Sequence, residues 1–262
     1  MNDSNLHSRS FDLRYSEMDK RGEATPVAML GLMEETAFTH CEVTGWDLQR
    51  LLDSGYGWVL LRGGFEMASY PEYGDRFSIE TWCSQTRRFY GSREYRFRAA
   101  DGSVLGWARS LWVFYSLERK RPVPVLDEIV RAWAPDGIPS GPMELGEVDF
   151  PYEPEPDSLH RFDVRRSDLD TYGHVHNLNY LSWGLEALPE ELGDSRYLAS
   201  MRGHYRREVT YGSSVSAAFV SADEGESCAH GVFASAPDGT RYLAAAARSR
   251  WLPRAASRKS AA

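Results

Sequence analysis

The run Asp170-Thr171-Tyr172-Gly173-His174-Val175-His176-Asn177 puts a carboxylate, a glycine turn and two imidazoles directly ahead of an apolar stretch. That stretch, with Val175, Leu178, Tyr180, Leu181, Trp183, Leu185 and Leu188, is apolar on more than one face and reads as a buried helix. A helix N-terminus carries unpaired N–H groups and the positive end of the dipole, so it can polarise a carbonyl or hold an oxyanion. Asp170 could take a proton from water or attack directly. An Asp and a His at a helix start also serve as plain caps, and the motif alone leaves both readings open. His174-x-His176 has the residue types of a metal site, but no third ligand has convincing spacing, so no metal is expected. There is no G-x-S-x-G, which leaves a serine-hydrolase elbow unsupported.

The element that carries this motif occurs twice. Phe11-Asp12-Leu13-Arg14-Tyr15-Ser16-Glu17-Met18-Asp19 returns, 151 residues on, as Phe162-Asp163-Val164-Arg165-Arg166-Ser167-Asp168-Leu169-Asp170. Gly22, Leu30 and Glu35 match Gly173, Leu181 and Glu186 at that offset. Further on, Arg62-Gly63 matches Arg202-Gly203, and Ala108-Arg109-Ser110-Leu111-Trp112 matches Ala247-Arg248-Ser249-Arg250-Trp251, at offsets near 140. The shared order reads as two copies of one fold, the second shorter after its first helix. The first copy keeps Asp19 but has Glu23 where the second has His174, so no second active site is expected.

Each copy opens with a strand, Phe11 to Tyr15 or Phe162 to Arg166. A helix follows. In the first copy Thr25 suits its cap and Pro26 its first position, and Val27, Met29, Leu30, Leu32, Met33, Ala37 and Phe38 make it apolar on several faces. Alternating runs then read as strands, with Asp101-Gly102 and Asp238-Gly239 as hairpin turns. A buried helix inside long antiparallel strands is an α+β fold, a curled sheet wrapped round a helix. This is the hotdog architecture, here as two tandem hotdog folds. Residues 134–160 are rich in Pro, Gly and Glu. The division expected is residues 1–137 as the N-terminal domain, 138–160 as linker and 161–262 as the C-terminal, catalytic domain.

With 262 residues and a net charge of −8, the chain can bury a real core and is a poor partner for nucleic acid. An acidic partner would need a local basic patch. Arg87, Arg88, Arg93, Arg96 and Arg98, with Arg119, Lys120 and Arg121, are the candidates, and solvated strand faces are the plainer account. No apolar run reaches membrane-span length, and Met1 to Ser10 lack a signal-peptide core. A cytoplasmic protein is expected. Cys41, Cys83 and Cys228 are scattered and odd in number, which fits a reducing compartment.

The second-copy motif resembles the catalytic stretch of the acyl-ACP thioesterases of plants and bacteria, D-x-N-x-H-V-N-N, then Y, then W-x-L-E. It is also similar to the looser D-x-x-G-H-V pattern of the 4-hydroxybenzoyl-CoA thioesterase group. Tyr205-Arg206-Arg207-Glu208 resembles the first family's Y-R-R-E-C. Glu34-Glu35-Thr36-Ala37 with His40 resembles its Q-E-T-A-x-x-H helix, and Pro71-Glu72-Tyr73-Gly74-Asp75 its P-x-W-G-D turn. The likeness runs from about Phe11 to Trp251.

The resemblance implies hydrolysis of a fatty-acyl thioester carried on acyl carrier protein or coenzyme A, in fatty acid biosynthesis, without cofactor. It puts Asp170, His174 and Glu208 at catalytic positions. Tyr172 stands where the family has an Asn, His176 replaces the first Asn of its pair, and Val209 stands where many members have a cysteine. Gly173 is expected to let the Tyr172 ring turn outward. Met29 and Met33, four apart on one helix face, are expected to line an acyl tunnel, with Asn177 also near substrate. Glu35 and Glu186 are expected to be structural, inward-facing carboxylates. The quaternary state expected is a monomer, a pseudo-dimer of hotdogs, or a homodimer. The rival readings are a small acyl-CoA hydrolase, a hotdog hydratase or dehydratase, and a non-catalytic acyl-binding sensor.

Overall fold

The computed structural model describes residues 5–133, 138–150, 159–222, 226–236 and 238–254. The chain divides into two compact units, Met1–Leu145 and Gly146–Ala262. The first holds β1 (His7–Asp12), α1 (Pro26–Val43), α2 (Leu48–Asp53), β2 (Tyr56–Met67), β3 (Arg76–Arg87), β4 (Tyr90–Ala99), β5 (Val104–Ser116), β6 (Arg121–Pro122) and α3 (Asp127–Trp133). The second holds β7 (Leu159–Asp163), α4 (Asn177–Glu186), α5 (Glu190–Ser195), β8 (Arg196–Tyr205), β9 (Ser214–Ala222), β10 (Ser227–Ser235) and β11 (Arg241–Pro253).

The first unit orders its strands β1-β3-β4-β5-β2, all antiparallel, with β6 on β5. The second orders them β7-β9-β10-β11-β8. The topology is the same, so the repeated sequence is a repeated hotdog. The offset needs one correction on β2 and β8. Leu60 lies opposite Trp112 and Leu198 opposite Trp251, so true equivalents there are 138 apart and the Arg-Gly match is displaced by two. The shorter second helix, 10 residues in α4 against 18 in α1, accounts for most of the change of offset.

Thr25 caps α1 by accepting the Ala28 N–H at 3.1 Å, ahead of Pro26 in the first turn. The helix is not buried all round. Met29, Leu32, Thr36 and His40 form one inward stripe, while Phe38 and Val43 are 43% and 70% exposed. Glu35 and Glu186 are likewise exposed, not inward, and Glu35 pairs with Arg9 at 2.7 Å. Because i, i+3, i+7 and i+11 share one face, a single stripe suffices to anchor the helix. In the second unit Tyr180 and Trp183 of α4 pack among Val164, Val209, Val215, Ala217 and Val232.

The Ser-x-Trp of the repeat has a physical cause. Trp112 donates its indole N–H to Ser110 Oγ at 2.7 Å, and Trp251 donates to Ser249 Oγ at 2.8 Å. Both serines are buried, where an unpaired hydroxyl or indole N–H would be costly.

The segment of linker composition is packed where it is described. Pro139 O accepts the Trp82 indole N–H at 3.1 Å, and Met143 O accepts from Arg109 at 3.4 Å. In the second unit Val148 and Phe150 are buried against Ala218, Phe233 and Ala246. Residues 151–158 lie outside the described residues. No described helix is long and apolar enough to cross a membrane.

Candidate active site

The segment from β7 to α4 is held by two carboxylates that serve the backbone. Asp168, buried, accepts the Arg165 N–H at 2.8 Å and the Arg165 guanidinium at 2.8 Å. Burial would raise its pKa, but these hydrogen bonds and the guanidinium charge outweigh it and hold the carboxyl below its ordinary value. Asp170 Oδ1 accepts the N–H of Tyr172 at 2.8 Å and of His174 at 3.1 Å. Asp170 N–H donates to His174 O and Gly173 N–H to Asp170 O, closing the turn. Gly173 takes φ +79°, open to glycine at little cost.

This turn delivers the chain to α4. His176 is the N-cap: its Nδ1 accepts the Leu178 N–H at 3.4 Å, so it acts as a capping group. Asn179 Nδ2 donates to Asp168 O at 2.9 Å, tying the first turn of α4 to the buried clasp. Asn177 opens the helix, and its carbonyl lies 3.5 Å from the Tyr205 hydroxyl.

Glu208 arrives from the segment after β8. Val175 N–H donates to Val209 O at 2.8 Å, and His174 bridges Thr210. This pairing sets Glu208 beside His174, with Nε2 and Oε2 3.4 Å apart. The two side chains are 39% and 67% exposed, so substrate and water can reach them. An exposed pair of this kind adds only about 0–1 kcal/mol to stability. Glu208 is not paired with its arginine neighbours. Arg206 binds Asp149 at 3.1 Å and Val148 O at 3.0 Å, and Arg207 stacks 4.0 Å over Tyr242. Val209 is fully buried and offers no nucleophile.

The Tyr172 ring is half-buried, not turned out to solvent as its glycine neighbour suggested. Burial first, and the Asp170 charge second, raise its phenol pKa. Met29 is buried and Met33 half-buried on α1. Among the described residues, no three His, Cys, Asp or Glu side chains are grouped to hold a metal ion. The Arg165–Asp168 clasp was legible in principle, because Arg14 and Glu17 repeat its spacing and its bonds.

The arrangement combines an ordered carboxylate, a histidine–glutamate pair and a helix N-terminus, the parts needed to activate water and stabilise a tetrahedral oxyanion. Comparison with known proteins gives the family. Residues 4–133 match the acyl-ACP thioesterase N-terminal domain and residues 152–252 the acyl-ACP thioesterase C-terminal domain. The chain is 29% identical over 223 residues to the chloroplastic oleoyl-acyl carrier protein thioesterase 2 of Arabidopsis thaliana, covering 79% of this chain and 61% of that protein. It spans roughly half to three-fifths of the length of the curated relatives it matches. An acyl-ACP thioesterase structure from Bacteroides thetaiotaomicron superposes with TM-score 0.84 at 20% identity, covering 94% of this chain and 98% of that one. The 12:0-ACP thioesterase of Umbellularia californica gives 0.81 at 23% identity, covering 95% and 98%. The two domain matches take in most of the sequence, and the chain belongs to the acyl-ACP thioesterase family.

Proposed function

We propose that this chain hydrolyses fatty-acyl thioesters of acyl carrier protein, releasing a free fatty acid and the carrier's phosphopantetheine thiol. The observation that carries this reading is the His174–Glu208 pair beside the Asp170 turn. It occurs on a backbone that the first unit copies without those side chains.

In this mechanism Asp170, its Oδ1 oriented by two N–H donors, takes a proton from water as the water oxygen attacks the thioester carbon. The carbonyl electrons move to oxygen, which the start of α4 stabilises. The C–S bond then breaks and the pair leaves on sulfur; the proton taken by Asp170 passes to His174 and from there to the thiolate, while Glu208 steadies the imidazolium formed in transit. The balance is thioester and water to acid and thiol. Tyr172 stands beside this chemistry without a hydrogen bond from its hydroxyl to Asp170 among the described residues.

The acyl chain runs along α1 in this reading, with Met33 lining its path. Each buried methylene contributes about 0.8 kcal/mol, so path length selects chain length. The test is thiol release from acyl-ACPs of graded length, beside acyl-CoAs and an enoyl thioester. Faster hydrolysis of acyl-ACP with a preferred length supports the proposal. Turnover of acyl-CoA alone, hydration without hydrolysis, or binding without turnover refutes it. Met33→Trp should shift the optimum to shorter chains, and an unchanged profile in a folded protein would put the path elsewhere.

A further inference from the structure

The eight basic residues picked out as a candidate patch, Arg87, Arg88, Arg93, Arg96, Arg98, Arg119, Lys120 and Arg121, divide into three groups. Arg93, 5% exposed, turns inward, with Nη1 2.8 Å from His40 Nδ1 and its guanidinium 5.1 Å from the Trp133 ring. Arg96 and Arg98 are both bound to Glu80. The remaining five, Arg87, Arg88, Arg119, Lys120 and Arg121, are exposed. They sit in the β3–β4 turn and in the β5–β6 turn. Phe114 N–H donates to Phe89 O, Val125 N–H to Arg88 O, and Arg121 pairs with Ser116, so both turns lie at the same end of the sheet. The acids beside these turns are Glu118, within the second turn, Asp127 and Glu128, which open α3 just after Val125, with Glu128 paired to Arg50 at 3.5 Å, and Asp53, at the end of α2. Leu117 N–H, which donates to Gly55 O, holds that end alongside. The patch is therefore cationic on a chain whose net charge is −8.

A second, independent feature marks the same two turns. Among the described residues only Arg88 and Lys120 are non-glycine residues with positive φ, +46° and +48°. Glycine or asparagine fits that conformation with less strain, so long cationic side chains there are held at a cost in stability. Beside the turns, Val59 and Tyr90 are 50% and 40% exposed, and both lie opposite Val113 in register. A shallow cleft of about 240 Å³ adjoins that row, lined by Leu61, Tyr90 and Leu111 and by the polar Arg62, Gln85, Arg87 and Ser92.

We propose that this end of the first unit is the docking surface for the acidic face of the acyl carrier protein. Two basic turns frame an apolar row, the complement of an acidic, amphipathic helix. The proposal rests on the carrier-dependent reading of function given above. The patch would act through steering and orientation of the carrier, with no part in the chemistry.

The strain supplies the test, since Arg88→Gly with Lys120→Gly removes two charges while relieving both left-handed positions. At low ionic strength kcat/KM for acyl-ACP should fall about tenfold. The loss should shrink as salt is raised. Thiol release from acyl-CoA should stay within about twofold, and binding of holo-carrier without an acyl group should weaken in parallel. Arg87→Glu with Arg119→Glu should enlarge the loss. Unchanged acyl-ACP turnover at low salt in both double variants overturns the docking proposal alone. Equal losses on acyl-ACP and acyl-CoA overturn it too, because the patch would then serve the thioester arm or the fold. A wild-type protein that cleaves acyl-CoA and ignores acyl-ACP removes the functional reading and this proposal with it.

Discussion

The turns at Asp19 and Asp170 are built from the same bonds and end in different side-chain surroundings. Asp19 Oδ1 accepts the N–H of Arg21 at 2.8 Å and of Glu23 at 3.1 Å, as Asp170 does from Tyr172 and His174. Gly22 and Gly173 share φ +79°. Ala24 N–H donates to Pro71 O where Val175 N–H donates to Val209 O, and Glu23 bridges Glu72 where His174 bridges Thr210. The side chains then part. In the first unit Arg21 pairs with Asp19 Oδ2 at 3.1 Å, neutralising the carboxylate, and Tyr70 occupies the position equivalent to Glu208. In the second unit Tyr172 brings no charge, and His174 faces Glu208. The aspartate is thus first a device for turning the backbone into a helix. In the proposed mechanism, chemistry is an addition made where its second oxygen has no guanidinium beside it.

The largest effect should separate these two aspartates. Asn keeps an Oδ1 that can accept both N–H groups, so Asp170→Asn and Asp19→Asn should each preserve the turn. Only Asp170→Asn should lose turnover, by about 10²–10⁴-fold. Rates of thiol release for the two purified variants decide it. Equal activity in both would reduce Asp170 to a structural role.

A second contrast lies in the cores. Behind each Ser-x-Trp sits a different partner, Tyr95 bonded to Ser110 in the first unit and His230 in the second. His230 is fully enclosed, with Nδ1 3.3 Å from Gly184 O and Nε2 2.7 Å from Ser249 Oγ. The carbonyl only accepts, so Nδ1 carries a hydrogen. Burial pushes its pKa down to about 4, against the Gly184 carbonyl, which pulls it up. The folded state therefore refuses a proton that the unfolded chain accepts below about pH 6.5. Stability is full above that pH and falls as pH drops towards 4, by roughly 3 kcal/mol in all. His230→Gln should be less stable at pH 7 yet lose less between pH 6.5 and 4, as read from denaturant midpoints. Parallel losses in the two proteins would assign the acid sensitivity to other groups.

A third experiment converts one turn into the other. Tyr172→Arg should reach Asp170 as Arg21 reaches Asp19. A neighbouring guanidinium lowers a carboxylate pKa by about one to three units. Asp170 would become a weaker base, with kcat/KM down roughly tenfold and the acid limb of the pH–rate profile moved to lower pH. A loss without movement of that limb would point to blocked access instead.

Much of this was legible in the sequence for a physical reason. Hydrogen-bonding turns, caps and buried Ser–Trp pairs need particular residues at particular spacings, so Asp19/Asp170, Thr25 and Ser110/Ser249 announced themselves. Solvent exposure does not leave such a record. Glu35 and Glu186 face water although they stand in largely apolar helices, and the arginines of β4 and the turn before it go inward (Arg93), to Glu80 (Arg96, Arg98) or outward (Arg87, Arg88) with no change of residue type. The family resemblance put His174 and Glu208 at catalytic positions without pairing them, and the pairing was not legible because it depends on strand pairing across a span of chain that no local pattern encodes.

The smallest expected effect concerns the Tyr172 hydroxyl. What Asp170 takes from this residue is its backbone N–H, at 2.8 Å, which Phe supplies equally well. The ring is half-buried, and burial together with the Asp170 charge raises the phenol pKa, so the group stays protonated at neutral pH. A neutral hydroxyl near the carboxylate could still donate to the oxyanion or to the attacking water once substrate is bound. The unliganded geometry offers it neither a partner in Asp170 nor the position of a short amide, since the ring holds the oxygen well out from the backbone. Tyr172→Phe should therefore keep more than about a tenth of wild-type kcat/KM, a loss below roughly 1.4 kcal/mol. KM and kcat measured together sharpen the result, because lost packing would raise KM alone. A hundredfold fall in kcat with unchanged stability would mean that the hydroxyl acts in the transition state, and that this chain has replaced the family's asparagine rather than dispensed with it.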